Sequence, residues 1–192
     1  MPNHQHFIIH KPYGFLTQFI YTVTTRKNRR LLGELYDFPK GIMAIGRLDQ
    51  DSEGLLFLTT DGKMSHYVRG SIVEKEYYVQ VDGEITNDAI QQLQNGIQIG
   101  IKGNKYTTLP CKAFKLDSKP NFQERSKRIR DDRHGPTSWV SITINEGKFR
   151  QVRKMTAAAG YPTLRLVRVR IGNVKLNNLQ SGDVAQVEKF DV

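Results

Sequence analysis

The segment GRLDQDSEGLLFLTTDG, Gly46 to Gly62, sets three aspartates behind an arginine. Asp49 and Asp51 stand two residues apart, Asp61 closes the segment, and Arg47 lies two positions before Asp49. A carboxylate kept ionised and shielded from water can serve as a nucleophile or a general base. A second segment, EGKFRQVRKM, Glu146 to Met155, supplies the cations Lys148, Arg150, Arg153 and Lys154. A guanidinium beside a carboxylate favours its charged form and lowers its pKa. If a helix runs through the segment, Arg150, Arg153 and Lys154 share one face, while Val152, Met155 and Ala159 can face a core. Such a face could bind phosphates or pair with a buried acid. Taken alone, Asp49 reads better as a turn or cap residue.

Other chemistries find little footing. The five histidines, at positions 4, 6, 10, 66 and 134, and the single Cys111 offer no pair with zinc spacing, and no EF-hand pattern is present. GxGxxG and GxxxxGK[ST] are both missing, so neither a metal nor a nucleotide cofactor is expected. Cys111 sits in an apolar stretch and reads as a buried, inert thiol.

The balance of charge points to a polyanionic partner. The 192 residues carry 29 Lys+Arg against 19 Asp+Glu, a formal charge of +10, and a pI near 9.7. Neutralising phosphates releases counterions, which makes RNA or DNA the natural target of such a surface. No apolar run reaches membrane-spanning length, and the polar start MPNHQH lacks a signal-peptide core, so no membrane partner and a cytoplasmic location are expected. The length suits one domain, residues 1–192, or two small lobes.

These residues need elements to position them. FIIHKPYGFLTQF reads as strand, Pro-Tyr-Gly turn and second strand. Thr24–Arg30 reads as a basic loop and Leu31–Tyr36 as a short helix ending before Pro39. Met43–Ile45 and Gly54–Thr60 read as buried strands. Asp61–Arg69 reads as a helix with Asp61 at its N-cap, and Lys75–Val81 as a strand. Thr86–Gln94 is the best-marked helix: Thr86 caps it, Asp88 lies in its first turn, and Gly96 follows its end. Short strands are expected over Gly96–Ile101, Tyr106–Leu109, Cys111–Leu116 and Trp139–Ile144. A helix is expected over Lys148–Ala159, stopped by Gly160. Thr163–Ile171 alternates, but its three arginines cannot all share one face, which implies a bulge or burial on both sides. Residues 118–136 hold six Lys/Arg, three Asp/Glu and almost no apolar side chains, and read as a basic flexible loop, either solvated or ordering on RNA. The whole pattern is α+β, with a mixed, mostly antiparallel central sheet flanked by helices.

Five motifs in this order resemble the RsuA/RluB/RluE/RluF family of pseudouridine synthases: FIIHKPYG, GRLDQDSEGLLFLTTDG, KEYYV, NEGKFRQVRKM and YPTLRLVRVRIG. Together they span almost the whole chain. PTSWVSITINEGKFRQVRKMTAAAGYPTLRLVR is most similar to the RluE type, which modifies 23S rRNA. The resemblance implies the pseudouridine synthase fold with a catalytic cleft, no cofactor, and no preceding S4-like RNA-binding domain. It implies isomerisation of a specific uridine in naked 23S rRNA or a preribosomal large subunit, by a monomer. The N1–C1′ bond breaks, the uracil turns, and C5 bonds to C1′. A stacked uridine would have to be flipped out of its helix first.

In the family pattern the catalytic acid follows Arg-Leu, which makes it Asp49. Asp51 falls on a variable position and Asp61 on a helix cap. Tyr77, of KEYYV, would stack on the flipped uracil, with Tyr78 facing the other way. Arg153 is the family's basic residue, implied to lie beside the acid. Arg47 would fill the space the base leaves or grip its phosphate. Val152 and Leu164 would line the pocket. Lys11, Arg150, Lys154, Arg165 and Arg168 are candidates for RNA backbone contacts. Arg150 departs from the His or Asn of some relatives. Attack at C1′, addition to C6 and a glycal route all remain open for the acid. Two other functions fit the same fold: a non-catalytic RNA-binding or ribosome assembly factor, and a synthase acting on tRNA or small-subunit rRNA.

Overall fold

The computed structural model describes residues 4–22, 29–70, 73–130 and 132–192. Two compact units divide the chain. The first comprises residues 1–73, 123–127 and 168–192; the second comprises 74–122 and 128–167.

The first unit begins with β1 (His6–Lys11), then the short β2 (Phe15–Leu16) and β3 (Arg30–Leu31), which pair in parallel. β4 (Met43–Ile45), β5 (Glu53–Thr59) and α1 (Gly62–Gly70) follow. In the second unit come β6 (Lys75–Asp82), α2 (Asn87–Asn95), β7 (Gln98–Ile101), β8 (Asn104–Thr107), β9 (Lys112–Lys115), β10 (Thr137–Ile144) and α3 (Gln151–Ala158). β11 (Thr163–Ile171) gives its first five residues to the second unit and its last four to the first. β12 (Val174–Lys175) and β13 (Val184–Val187) complete the first unit.

β5 is the centre of the first unit. All seven of its residues are buried, as its unbroken apolar run GLLFL anticipates. It pairs antiparallel with β1, from His6 against Thr59 to Lys11 against Gly54, and β1 pairs in turn with β13. β4 pairs with the Phe57–Thr59 end of β5. Burying each of Leu55, Leu56, Phe57 and Leu58 contributes about 1.5–3 kcal/mol. At the other end of β5, Gly54 (φ +106) lies flat against β11. A Cβ there would come within 2.3 Å of the Arg168 carbonyl oxygen.

In the second unit β10 pairs antiparallel with both β6 and β9. The sequence WVSITI alternates, yet Ser141 and Thr143 are buried along with the apolar residues, because both faces of β10 are covered. Ser141 meets that burial by donating its hydroxyl to the Glu76 carboxylate at 2.9 Å. β6 alternates, with Tyr77, Val79 and Val81 inward. α2 packs on β9 and α3 on β7.

Most expected elements form within two residues of their anticipated bounds. The Thr86 hydroxyl accepts from the Ala89 N–H, and Asp61 accepts from the Lys63 N–H. β11 resolves its arginines by burial on both sides, with Arg165, Leu166, Val167 and Arg168 all inside. Three expectations are corrected. Leu31–Tyr36 yields only a 3₁₀ turn over Leu32–Glu34, since Leu31 is extended within β3 and the Glu34 carboxylate accepts the Leu31 N–H. The helix expected from Lys148 begins at Gln151, because Arg150 is left-handed (φ 52). Arg150 therefore lies outside the helix and cannot share a helical face with Arg153 and Lys154. Cys111 precedes β9 rather than lying within a strand.

The described residues of 118–136 are irregular apart from a 3₁₀ turn at Asp132–His134, but they are tied down within each unit. Phe122 packs on Trp139 and Tyr78, and Arg130 pairs with Asp82. In the first unit Arg125 lies over the Tyr13 ring at 4.6 Å. Of the expected basic loop Thr24–Arg30, positions 24–28 lie outside the described residues, and Arg30 opens β3.

Gly54→Ala tests the close approach of β5 to β11. The left-handed φ and the collision with the Arg168 carbonyl should together cost about 2–4 kcal/mol. Urea unfolding measures this directly, and a variant as stable as the parent would contradict the packing.

Candidate active site

Asp49 sits in a tight turn whose formation follows from local chemistry. Aspartate is favoured at the first position of a β-turn, and the Ser52 N–H closes this one on the Asp49 carbonyl at 3.0 Å. The turn is then clasped to the segment after β1. The Gly14 N–H donates to the Gln50 carbonyl at 2.8 Å, and the Gln50 side-chain amide returns a bond to the Gly14 carbonyl at 3.0 Å. The Thr17 hydroxyl donates to the Leu48 carbonyl at 2.8 Å and accepts from the Leu48 N–H at 3.3 Å. The backbone on both sides of Asp49 is fixed by these four bonds.

Lys11 completes the clasp from beneath. Its side chain is 0% exposed. The amine donates to the Ser52 carbonyl at 2.7 Å and to the Pro12 carbonyl at 3.0 Å. Burial pulls its pKa down to about 7, with the neighbouring Arg168 acting in the same direction; Glu53, Asp51 and Asp49 oppose the shift. A neutral amine still has two N–H donors, and two carbonyls are in place to accept them. Glu53 is itself buried at the start of β5. Arg168 donates its Nε–H to the Leu55 carbonyl at 2.7 Å. Its buried Nη2 has no hydrogen-bond acceptor among the described residues.

The first unit thus brings Lys11, Asp49 and Arg168 together. Neither Lys11 nor Arg168 is placed to meet an RNA backbone. Both are buried, and the Lys11 amine and the Arg168 Nε are held on the protein's own carbonyls. Arg47 is exposed. Elsewhere in this unit an open groove of about 880 Å³ is lined by Phe19, Tyr36, Phe38 and Pro39, but contains none of Lys11, Asp49 or Arg168.

The second unit holds the other expected residues. Tyr77 is 8% exposed on β6, opposite Ile142. Tyr78 points the other way, onto Phe122 at 6.2 Å, and burial followed by the Glu76 charge raises its phenol pKa. Val152 is buried and Arg153 half-buried on α3. Leu164 is half-buried on β11. Arg165 is buried, its guanidinium 5.4 Å from the Phe122 ring, which removes it from the free surface expected of a phosphate ligand. Lys154 donates to the Gly100 carbonyl at 2.7 Å. The Cys111 thiol donates to the Leu93 carbonyl, and burial, aided by the Glu146 charge, pushes its pKa up to about 11. It is therefore protonated and inert at neutral pH. Among the described residues no group of three His, Cys, Asp or Glu side chains could hold a metal.

Sequence reasoning missed the clasp made by Gly14, Thr17 and Gln50. A signal was available. Antiparallel pairing of FIIHK with EGLLFLT sets the residues after the first strand beside those before the second, so KPYGFLT must meet RLDQDS.

A model of the RNA pseudouridylate synthase family matches residues 5–158, and the chain belongs to that family. It is 39% identical over 190 residues to the ribosomal large subunit pseudouridine synthase E of Vibrio parahaemolyticus, covering 98% of this chain and 76% of that protein. It is 41% identical over 177 residues to the protein of the same name from Xanthomonas campestris, covering 91% of each. A solved structure described as a pseudouridylate synthase matches with a TM-score of 0.74 at 28% identity, over 97% of this chain and 71% of that one.

The buried amine gives a pH signature. Lys11 binds its proton less tightly folded than unfolded, so between about pH 7 and pH 10 the unfolded chain holds more protons. Stability contributed by this group should therefore rise with pH across that window. The stability difference between the parent and Lys11→Met, from urea midpoints at pH 7 and pH 9.5, should widen in the parent's favour. A difference that stays constant or narrows would contradict the burial of an ionisable amine.

Proposed function

We propose that this chain isomerises a specific uridine of large-subunit (23S) rRNA to pseudouridine, with Asp49 as the acting carboxylate. The observation that carries the reading is its likeness to the synthase E proteins of two genera over nearly the full chain. The arrangement around Asp49 supports the choice of acid. Asp51 shares its turn, but Asp49 opens that turn, directly after the Leu48 backbone held by Thr17. Asp61 is occupied as a helix cap on the Lys63 N–H.

In this reading the carboxylate acts on a flipped uridine while the glycosidic bond breaks and re-forms through C5. Tyr77 supplies the ring on which the uracil stacks, and Arg153 is the basic residue of the family pattern. Val152 and Leu164 provide apolar wall, and Arg47 takes the place of the extruded base or its phosphate. No electrons are gained or lost overall, so these side chains suffice without a cofactor. The protein works as a monomer in the cytoplasm, on rRNA or a preribosomal particle. The formal charge of +10 fits that partner.

Tritium release tests the proposal. RNA labelled at C5 of uridine loses its label when C5 bonds to C1′. The protein should release tritium from 23S rRNA, and should leave the label of 16S rRNA and tRNA in place. Release from tRNA or 16S rRNA alone would replace the substrate, and binding without release from any RNA would mark a non-catalytic factor.

A further inference from the structure

We propose that the face formed by the β7–β8 hairpin and the approach to α3 is a second RNA-binding site, where an unpaired base of the substrate RNA stacks on Phe149 and its phosphates meet the surrounding lysines. This rests on the RNA-modifying reading above and adds to it a stacking residue, Phe149, just before α3. Phe149 is 56% exposed, as Phe114 also is at 51%, whereas Phe7, Phe15, Phe57 and Phe190 are buried. Its exposure is built by the backbone. Left-handed Arg150 (φ 52) delays α3 and turns residues 148–150 out of the helical path.

The platform is held rigid from below. The Glu146 carboxylate accepts from the Tyr106 hydroxyl at 2.5 Å, the Leu109 N–H at 3.0 Å and the Gln151 amide at 2.6 Å. The Gln151 side-chain Oε1 accepts the Lys148 N–H at 2.9 Å. Glu146 is thereby engaged by three donors. A platform already ordered loses little entropy when a ligand lands on it.

One cation lies at the ring, and three more sit on the same two segments. The Lys154 ammonium lies 5.2 Å from the Phe149 centroid and joins α3 to β7 through the Gly100 carbonyl. The Lys148 ammonium lies 4.9 Å from the Tyr106 ring. Lys102, at the hairpin tip (φ 50), and Lys105, opposite Gly100, are both exposed. An exposed aromatic ring on a face that also carries lysines is the combination that binds single-stranded RNA with little sequence preference. Charge complementarity thus favours RNA over a protein partner.

The test uses a 23S rRNA transcript, with equilibrium binding and steady-state tritium release measured for four proteins: parent, Phe149→Ala, Phe149→Trp, and the double variant Lys102→Ser, Lys105→Ser. Phe149→Ala should raise Kd and KM about tenfold with kcat unchanged, and Phe149→Trp should restore both. The double lysine variant should weaken binding and flatten the slope of log K against log salt by about 1.4. Phe149→Ala within about twofold of the parent, or Phe149→Trp as impaired as Ala, would overturn the stacking site. An unchanged salt slope would overturn the phosphate contacts. A protein-docking face would leave every RNA constant unmoved, and so overturns both. Turnover by the parent itself reports separately on the assigned reaction.

Discussion

A single amine buried under a turn organises the first unit. Lys11 ends β1, loses all contact with solvent, and holds the carbonyl of Ser52, the residue whose N–H closes the Asp49 turn. Burying a charge without partners is prohibitively costly. This site answers with three nearby acids and with a pKa low enough for the amine to shed its proton. The turn cannot drift without stranding the amine, and the amine cannot leave without freeing the turn. Glu53 and Arg168 belong to the same network, so the strands that carry them, β5 and β11, are bound into the positioning of one loop.

Close approach of backbones makes the network compact. Gly54 has no side chain because the Arg168 backbone occupies that space. The same approach lets the Arg168 side chain cross β5 and bond the Leu55 carbonyl. The residue following a buried acid must therefore be the smallest one, and the apolar run after it supplies the burial that keeps water out. Placement of the Asp49 turn and core packing are one piece of structure here.

Much of this was legible in the residues themselves. The Thr86 and Asp61 caps follow from hydroxyl and carboxylate chemistry at helix starts, and the seven-residue burial of β5 follows from its unbroken apolar run. Asp49 stood out only through its neighbours in five ordered motifs. What stayed hidden is tertiary. A lysine in His-Lys-Pro-Tyr looks like a solvated cation, since nothing local says that a turn forty residues away will cover it. Arg165 and Arg168 looked like phosphate ligands for the same reason. The late start of α3 was invisible because a left-handed arginine contradicts local preference, and only the fixed platform of Glu146 and Gln151 explains its persistence.

The central claim is that the carboxylate on this clasped turn performs the chemistry while the clasp itself holds the fold. Asp49→Asn keeps the size of the side chain and removes its charge, so single-turnover release of tritium from 23S rRNA, measured beside RNA affinity and urea stability, isolates that role. The account predicts a loss of rate of about 10²–10⁴-fold or more, with affinity and stability like the parent's. A rate within about tenfold of the parent would contradict it.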